Sequence, residues 1–193
     1  GWMMAPTPTL INSWIPSGKG KNASDAATEF IIFSGSRDDD LYAINYPEAT
    51  IRFVIPTGAD IYTSPSFYNT PSGVGIFFGS DDDNIYGIDS DGNLLDGFPV
   101  NISDKVVGSI VFSDLNNDGS VELVAANQGG QIYAFDLEGN SLDNFPINYD
   151  FPFASSPMVV DYDGDNDLEI ICGSTGDIVM IDVKDSGGDD QFW

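Results

Sequence analysis

The sequence predicts an all-β fold, a β-propeller built of four-stranded blades, about four of which are visible in the chain. Three observations carry this. Short runs rich in Ile, Val, Phe and Tyr alternate with polar turn clusters from residue 30 onward, and no stretch reads as a convincing helix. The modules recur at a fixed spacing. Gly-Ser pairs start at 35, 79 and 173, and Ala126-Asn127 takes that place in the third module, so the steps are 44, 47 and 47 residues. Asp161 to Glu169 is a near copy of Asp114 to Glu122, again offset by 47. A period in the forties holding several short strands is the signature of propeller blades, which hide their faces by stacking around an axis.

In chain order, residues 1–29 form an irregular N-terminal segment rich in Pro and Gly, with the short apolar stretch Leu10 to Pro16 inside it. Four blades follow, at about 30–57, 58–103, 104–150 and 151–193. The first holds Phe30-Ile-Ile-Phe33, the acidic turn Asp38-Asp39-Asp40, the alternating strand Leu41 to Asn45 and the strand Ile51 to Ile55. The second repeats this with Ile76-Phe77-Phe78, Asp81-Asp82-Asp83 and Ile85-Tyr86-Gly87-Ile88-Asp89. A turn at Asp91-Gly92-Asn93 leads to a closing strand over Leu94 to Val100. The third has Val121 to Ala125, Ile132 to Asp136 and a closing strand over Leu142 to Ile147. The fourth opens with Ser155 to Val160, followed by Ile170 to Cys172 and Ile178 to Asp182. The repeated Ile-Tyr-x-Ile/Phe-Asp run is read as sheet core and turn chemistry. Ser24 to Phe30 is the single helix candidate, too short to stand without packing.

Composition bounds the function. There are 31 acidic and 6 basic residues, a net charge of −25, which argues against nucleic acid and anionic membrane surfaces as partners. No histidine occurs, so the commonest general base and zinc ligand are missing. No apolar run is long enough to span a membrane as a helix. The lone cysteine, Cys172, cannot form an internal disulfide and reads as a small buried hydrophobe.

The two acidic loops are candidate calcium sites. Calcium takes six to eight hard oxygens. In the third blade they would come from Asp114, Asn116, Asp118, the carbonyl of Ser120, and Glu122. In the fourth they would come from Asp161, Asp163, Asp165, the carbonyl of Asp167, and Glu169. Position 6 of each loop must turn sharply, and it is Gly119 in one and Asn166 in the other. An EF-hand is excluded, because position 12 is Ala125 or Cys172 inside an apolar run. The final acid at position 9 instead opens a strand, so an ion would be clamped between two strands of one blade. Magnesium, which keeps its waters, suits such a cage less well. With four anionic ligands against three, the fourth-blade loop is expected to bind more tightly. The equivalent regions of the first two blades, Lys21 to Ala27 and Asn69 to Gly73, have lost the pattern. The runs Asp38–Asp40 and Asp81–Asp83 are read as solvated turns, since adjacent acids do not point one way, with a cation or basic-partner patch as the alternative.

The order Ser156-Pro157, Asp161 to Glu169, Ile170-Ile171 and Gly173-Ser174, with Ile85 to Asp89, Gly92-Asn93 and Phe98-Pro99 at their places in the module, resembles the integrin-α-type propeller repeat, also called FG-GAP or VCBS-like. The resemblance spans about residues 30–183 and is weakest in the first blade. It implies a β-propeller with calcium in the loops between the first two strands of a blade, two ions here. It also implies a secreted or cell-surface setting and a role in cell adhesion or in binding a protein or glycan ligand.

A non-enzymatic binding module is therefore the leading expectation. A self-assembling surface or fibre protein and a polysaccharide-acting propeller enzyme are the alternatives. The ends of the chain leave three arrangements open. Leu10 to Pro16 resembles the closing segment Leu94 to Val100. It could supply the outer strand of the fourth blade, or of a blade in a neighbouring copy, giving a homo-oligomer or fibre by strand exchange. Alternatively, Gln191-Phe192-Trp193 begins the fourth blade's own outer strand within a longer parent protein.

Overall fold

The computed structural model describes residues 9–13, 29–70 and 72–183, and among them there are fifteen strands and no helix. The first sheet has the order β1 (Thr9–Ser13), β2 (Glu29–Gly35), β3 (Asp40–Tyr46) and β4 (Thr50–Pro56). The second is β5 (Ser66–Thr70), β6 (Gly73–Gly79), β7 (Asn84–Ile88) and β8 (Val100–Asn101). The third is β9 (Val106–Ser113), β10 (Glu122–Asn127), β11 (Gln131–Phe135) and β12 (Ile147–Asn148). The fourth has three described strands, β13 (Met158–Val160), β14 (Leu168–Gly173) and β15 (Ile178–Val183). Every pairing is antiparallel, so each sheet is a meander blade.

Strand alternation sends each blade's side chains to two different interfaces. Ile76 and Phe78 pack on Phe33 and Ala43 of the first blade, while Phe77 between them packs on Leu123 and Tyr133 of the third. In β10, Leu123 and Ala125 face the second blade, and Val124 and Ala126 face Ile170 and Cys172 of the fourth. Three apolar layers therefore lie between four blades. The glycine of the Gly-Ser pair belongs to this stacking. A Cβ on Gly35 would sit 2.3 Å from Ile61, and one on Gly79 would sit 2.3 Å from Val106, where the chain crosses to the next blade. Cys172 is buried among these side chains, and burial pushes its thiol pKa up, as expected of a small core residue.

Two expectations are revised. Thr9–Ser13 pairs with β2 on the edge opposite β4, so the N-terminal segment supplies the first strand of the first blade rather than an outer strand elsewhere. The outer edge of that blade is already taken by the seven-residue β4. The closing strands are also shorter than expected. Leu94 to Val100 and Leu142 to Ile147 are mostly turns, leaving two-residue strands at Val100–Asn101 and Ile147–Asn148. Gly97 (φ 83°) and Asn144 (φ 66°) bend the chain there, and Gly97 lies so close to the Glu138 carbonyl that no side chain fits. Residues 24–28 of the helix candidate and Gln191 to Trp193 lie outside the described residues.

Candidate metal centre

The fourth-blade loop joins β13 to β14. Its carboxylates first organise its own backbone. Gly164 N–H donates to Asp161 Oδ1 at 2.7 Å, Asp165 N–H to Asp163 Oδ1 at 3.2 Å, and Asp167 N–H to Asp165 Oδ1 at 3.0 Å. Such side-chain bonds to N–H groups two or three residues on are the reason Asp recurs in a tight loop. Gly164 and Asn166 take positive φ, 82° and 76°, so position 6 turns as its residue type requires.

Glu169 comes from β14, opposite Val160 on one side and Asp182 on the other. It is only 2% exposed. Its Oε2 accepts the N–H of Tyr162 in the loop, while its Oε1 is buried with no hydrogen-bond partner. Asp161, Asp163 and Glu169 bring carboxylate oxygens to within 4.8 Å of one another, the one such acidic trio among the described residues. Three carboxylates so close repel strongly, and a buried carboxylate oxygen without a partner costs free energy. A divalent cation answers both. The donor set, all hard oxygen, fits calcium. Asp165 and Asp167 belong to the same loop but not to this close trio.

The third-blade loop, between β9 and β10, repeats the clamp. Leu115 N–H donates to Glu122 Oε2 at 2.7 Å, the counterpart of the Tyr162–Glu169 bond. Asp114 accepts from the N–H groups of Asp118 (3.0 Å) and Gly119 (2.9 Å). Asn116 Nδ2 donates to Asp118 Oδ2 at 3.1 Å, and Ser120 N–H to Asp118 Oδ1 at 2.7 Å. Gly119 turns with φ 85°. The position equivalent to Asp163 is the neutral Asn116, so this loop has one acid fewer than the fourth-blade trio at the matching places. Asn116 bonds Asp118 here and binds the loop to itself. Glu122 is 2% exposed. Burial pushes its pKa up to about 6, and Asp118, Asp114 and Asp136 add repulsion that the Leu115 bond only partly offsets. The loop forms one wall of an open cleft of about 990 Å³ between the second and third blades, which Tyr68, Leu94 and Asp143 also line.

Two acids near these sites have no place in the expected ligand set. Asp136 bears on Glu122, and Asp182 lies across from Glu169. Both are the terminal acid of an Ile-x-x-Ile/Phe-Asp run, so the signal was present. Their placement depends on strand three folding back beside strand two. The acidic runs also differ from a purely solvated reading. Asp38 and Asp39 are exposed, but Asp81 to Asp83 are half-buried. Burial opposes the ionisation of Asp82, yet bonds from Tyr86 Oη (2.6 Å), Gly58 N–H (2.8 Å) and Asn84 N–H (3.1 Å) hold its carboxyl below the usual range. Asp81 accepts from Lys105 Nζ at 2.7 Å. These turns tie neighbouring blades together.

The span from Asp114 to Cys172 contains all ten candidate ligands. Residues 114–172 match the FG-GAP-like repeat. This FG-GAP-like segment covers the third-blade loop, its strands and the whole fourth-blade loop. No curated protein matches the chain in sequence. In fold it resembles β-propeller proteins. Sqt1 of Saccharomyces cerevisiae aligns over 92% of this chain and 45% of its own, with 14% identity and a TM-score of 0.63. BBS1N, crystallised with ARL6DN, aligns over 91% and 49%, with 12% identity and a TM-score of 0.60. The computationally designed Ika4 aligns over 78% and 83%, with 13% identity and a TM-score of 0.58. The chain thus spans about half the length of the two natural neighbours.

Proposed function

We propose that this chain is a calcium-stabilised β-propeller module that acts outside the cell, at the surface or secreted, and binds a protein or glycan ligand without catalysing a reaction. The observation that carries the metal reading is the convergence of Asp161, Asp163 and Glu169 around a buried Glu169 Oε1 that has no partner among the described residues. The FG-GAP-like match over both loops and the all-oxygen donor sets support calcium over a softer metal. Asp161, Asp163 and Glu169 would hold the ion in the fourth blade, with Asp165 and the Asp167 carbonyl completing the shell. Asp114, Asn116, Asp118, the Ser120 carbonyl and Glu122 would hold a second, weaker one. Each ion would supply positive charge that ties the loop after strand one to strand two. The binding role then falls to exposed loops and to the cleft beside the third-blade loop. The extracellular setting rests on calcium being abundant there, in the range such modules bind (Kd of ~10⁻⁴–10⁻³ M).

The test is a thermal melt with calcium and with chelator. At free calcium near 100 times Kd, one site adds about 2.7 kcal/mol. For a domain of this size that raises the midpoint by about 5–11 °C. A midpoint that calcium leaves unmoved overturns the reading.

A further inference from the structure

We infer that the cleft between the second and third blades docks an arginine- or lysine-bearing segment of a partner protein, whose positive side chains enter between the acids of its two walls. The inference rests on the cleft serving as the binding site, and it names the partner's chemistry. Both blades that form the cleft have all four strands described, so both walls are in place. One wall holds Tyr68 on β5 and the turn Leu94 to Asp96. The other holds the loop Asn116 to Glu122 and the turn Asp136 to Asp143. Six carboxylates line the space, those of Asp96, Asp118, Glu122, Asp136, Glu138 and Asp143, and among the described residues no Lys or Arg does. The three basic residues among those described are engaged elsewhere. Arg37 pairs with Asp60, Arg52 with Asp91 and Lys105 with Asp81.

Glu122 shows independently that this wall lacks a positive charge. It is 2% exposed, and the Leu115 N–H bond to Oε2 is the one hydrogen bond its side chain makes among the described residues, so Oε1 is left open. Asp118 and Asp136 add like charge beside it. A carboxylate held so deep is costly unless a cation comes to it. The rest of the cleft suits a long basic side chain. Leu94, 52% exposed, offers apolar contact to its stem. The Tyr68 ring is held against Phe112, with centroids 5.3 Å apart, and lines the same space. The chain already seats a guanidinium between a ring and a carboxylate. Arg37 lies 5.5 Å over the Tyr62 ring, and its Nε donates to Asp60 at 3.3 Å. The hydroxyls of a glycan bring no charge to offset six carboxylates, so a basic segment is the better occupant. Calcium in the third-blade loop would answer Asp118 and Glu122 and leave the other four acids. Ion and partner thus share one wall, and each weakens the binding of the other.

The experiment is fluorescence anisotropy of the 193-residue chain with a short labelled peptide of alternating Arg and Gly, and with a Glu–Gly peptide of equal length, in chelator and in millimolar-range calcium. A chain of net charge −25 attracts any cation diffusely, so charge-matched variants locate the site. Asp96→Asn, Glu138→Gln and Asp143→Asn together remove three charges from the rim of the cleft. Asp39→Asn, Glu48→Gln and Asp150→Asn together remove three charges elsewhere. All six side chains are exposed, so both triple variants should melt close to the parent. The expected result is Arg–Gly binding in chelator that salt and calcium both weaken. The rim variant should lose about tenfold in affinity, as three partly exposed ion pairs supply, and the other variant less than about threefold. No Arg–Gly binding in any condition overturns the inference. Equal losses in the two variants, or a rim variant that binds like the parent, overturn the cleft as the docking surface. Glu–Gly binding in calcium that matches Arg–Gly binding assigns the cleft to a metal-bridged anion and overturns the basic partner. The chelator arm needs no bound ion, so it stands or falls apart from the calcium melt.

Discussion

Replacing Glu122 by Gln should stabilise the metal-free protein and weaken its response to calcium. The side chain is 2% exposed and its pKa is pushed up to about 6 from a usual 4.5, chiefly by burial. The folded state therefore holds this proton more firmly than the unfolded chain does. That contribution is complete below pH 4.5 and is lost as pH rises to about 6. Above pH 6 the chain carries a buried charge whose penalty is about 2 kcal/mol, and at pH 5 the penalty is about 0.8 kcal/mol. Glutamine keeps an oxygen to accept the Leu115 N–H bond and removes the charge. In chelator at pH 8, Glu122→Gln should thus melt about 4–8 °C above the parent, and at pH 5 by less than half that. The sequence pI of about 4.1 makes lower pH unsuitable, because the protein loses its net charge there. In saturating calcium the order should narrow or reverse, since the third-blade site has lost an anionic ligand. Scanning calorimetry at pH 5 and pH 8, with chelator and with millimolar-range calcium, measures all four conditions. A variant less stable than the parent in chelator at pH 8 refutes the assignment of Glu122 as an uncompensated buried carboxylate. An equal gain at both pH values refutes its titration as the cause.

Other perturbations probe the rest of the molecule. Asp163→Ala should cost more of the calcium-induced rise in melting midpoint than Asp118→Ala, because Asp163 belongs to the convergent trio, and calorimetric titration should show the tighter site lost first. Phe77→Ala removes a fully buried ring that meets Phe98 and Phe112 edge-on, and should cost about 3–5 kcal/mol in urea unfolding. Gly79→Ala places a methyl 2.3 Å from Val106 at a blade crossing, and a loss of about 1–3 kcal/mol is expected by the same measurement. Tyr86→Phe deletes the 2.6 Å bond to Asp82 and should cost about 1.5–3 kcal/mol, as for a hydrogen bond to a charged group.

What the amino-acid sequence determined by itself is what short-range chemistry dictates. Alternate Asp residues fold back on the N–H groups two and three positions on, so the loops at 114–122 and 161–169 were legible as loops with inward oxygens. The sharp turns at Gly119 and Asn166 follow from residue type alone. The period of 44 and 47 residues and the period-two strands made the blades and their stacking readable, because each strand presents alternate side chains to opposite faces. What only the tertiary structure decided are the contacts between segments far apart in the chain. Burial of Glu122 and Glu169 comes from neighbouring strands closing over them. The turn acids Asp81 and Asp82 became links between blades because Lys105 and Gly58 arrive from the adjoining connections. The pairing of Thr9–Ser13 with β2 was set by which sheet edge stood open, and a short polar-apolar strand carries no address for its edge. The convergence of Asp161, Asp163 and Glu169 likewise depends on how the strand that bears Glu169 meets its loop. Residue types name a ligand set, but only the packed backbone sets the distances between its oxygens.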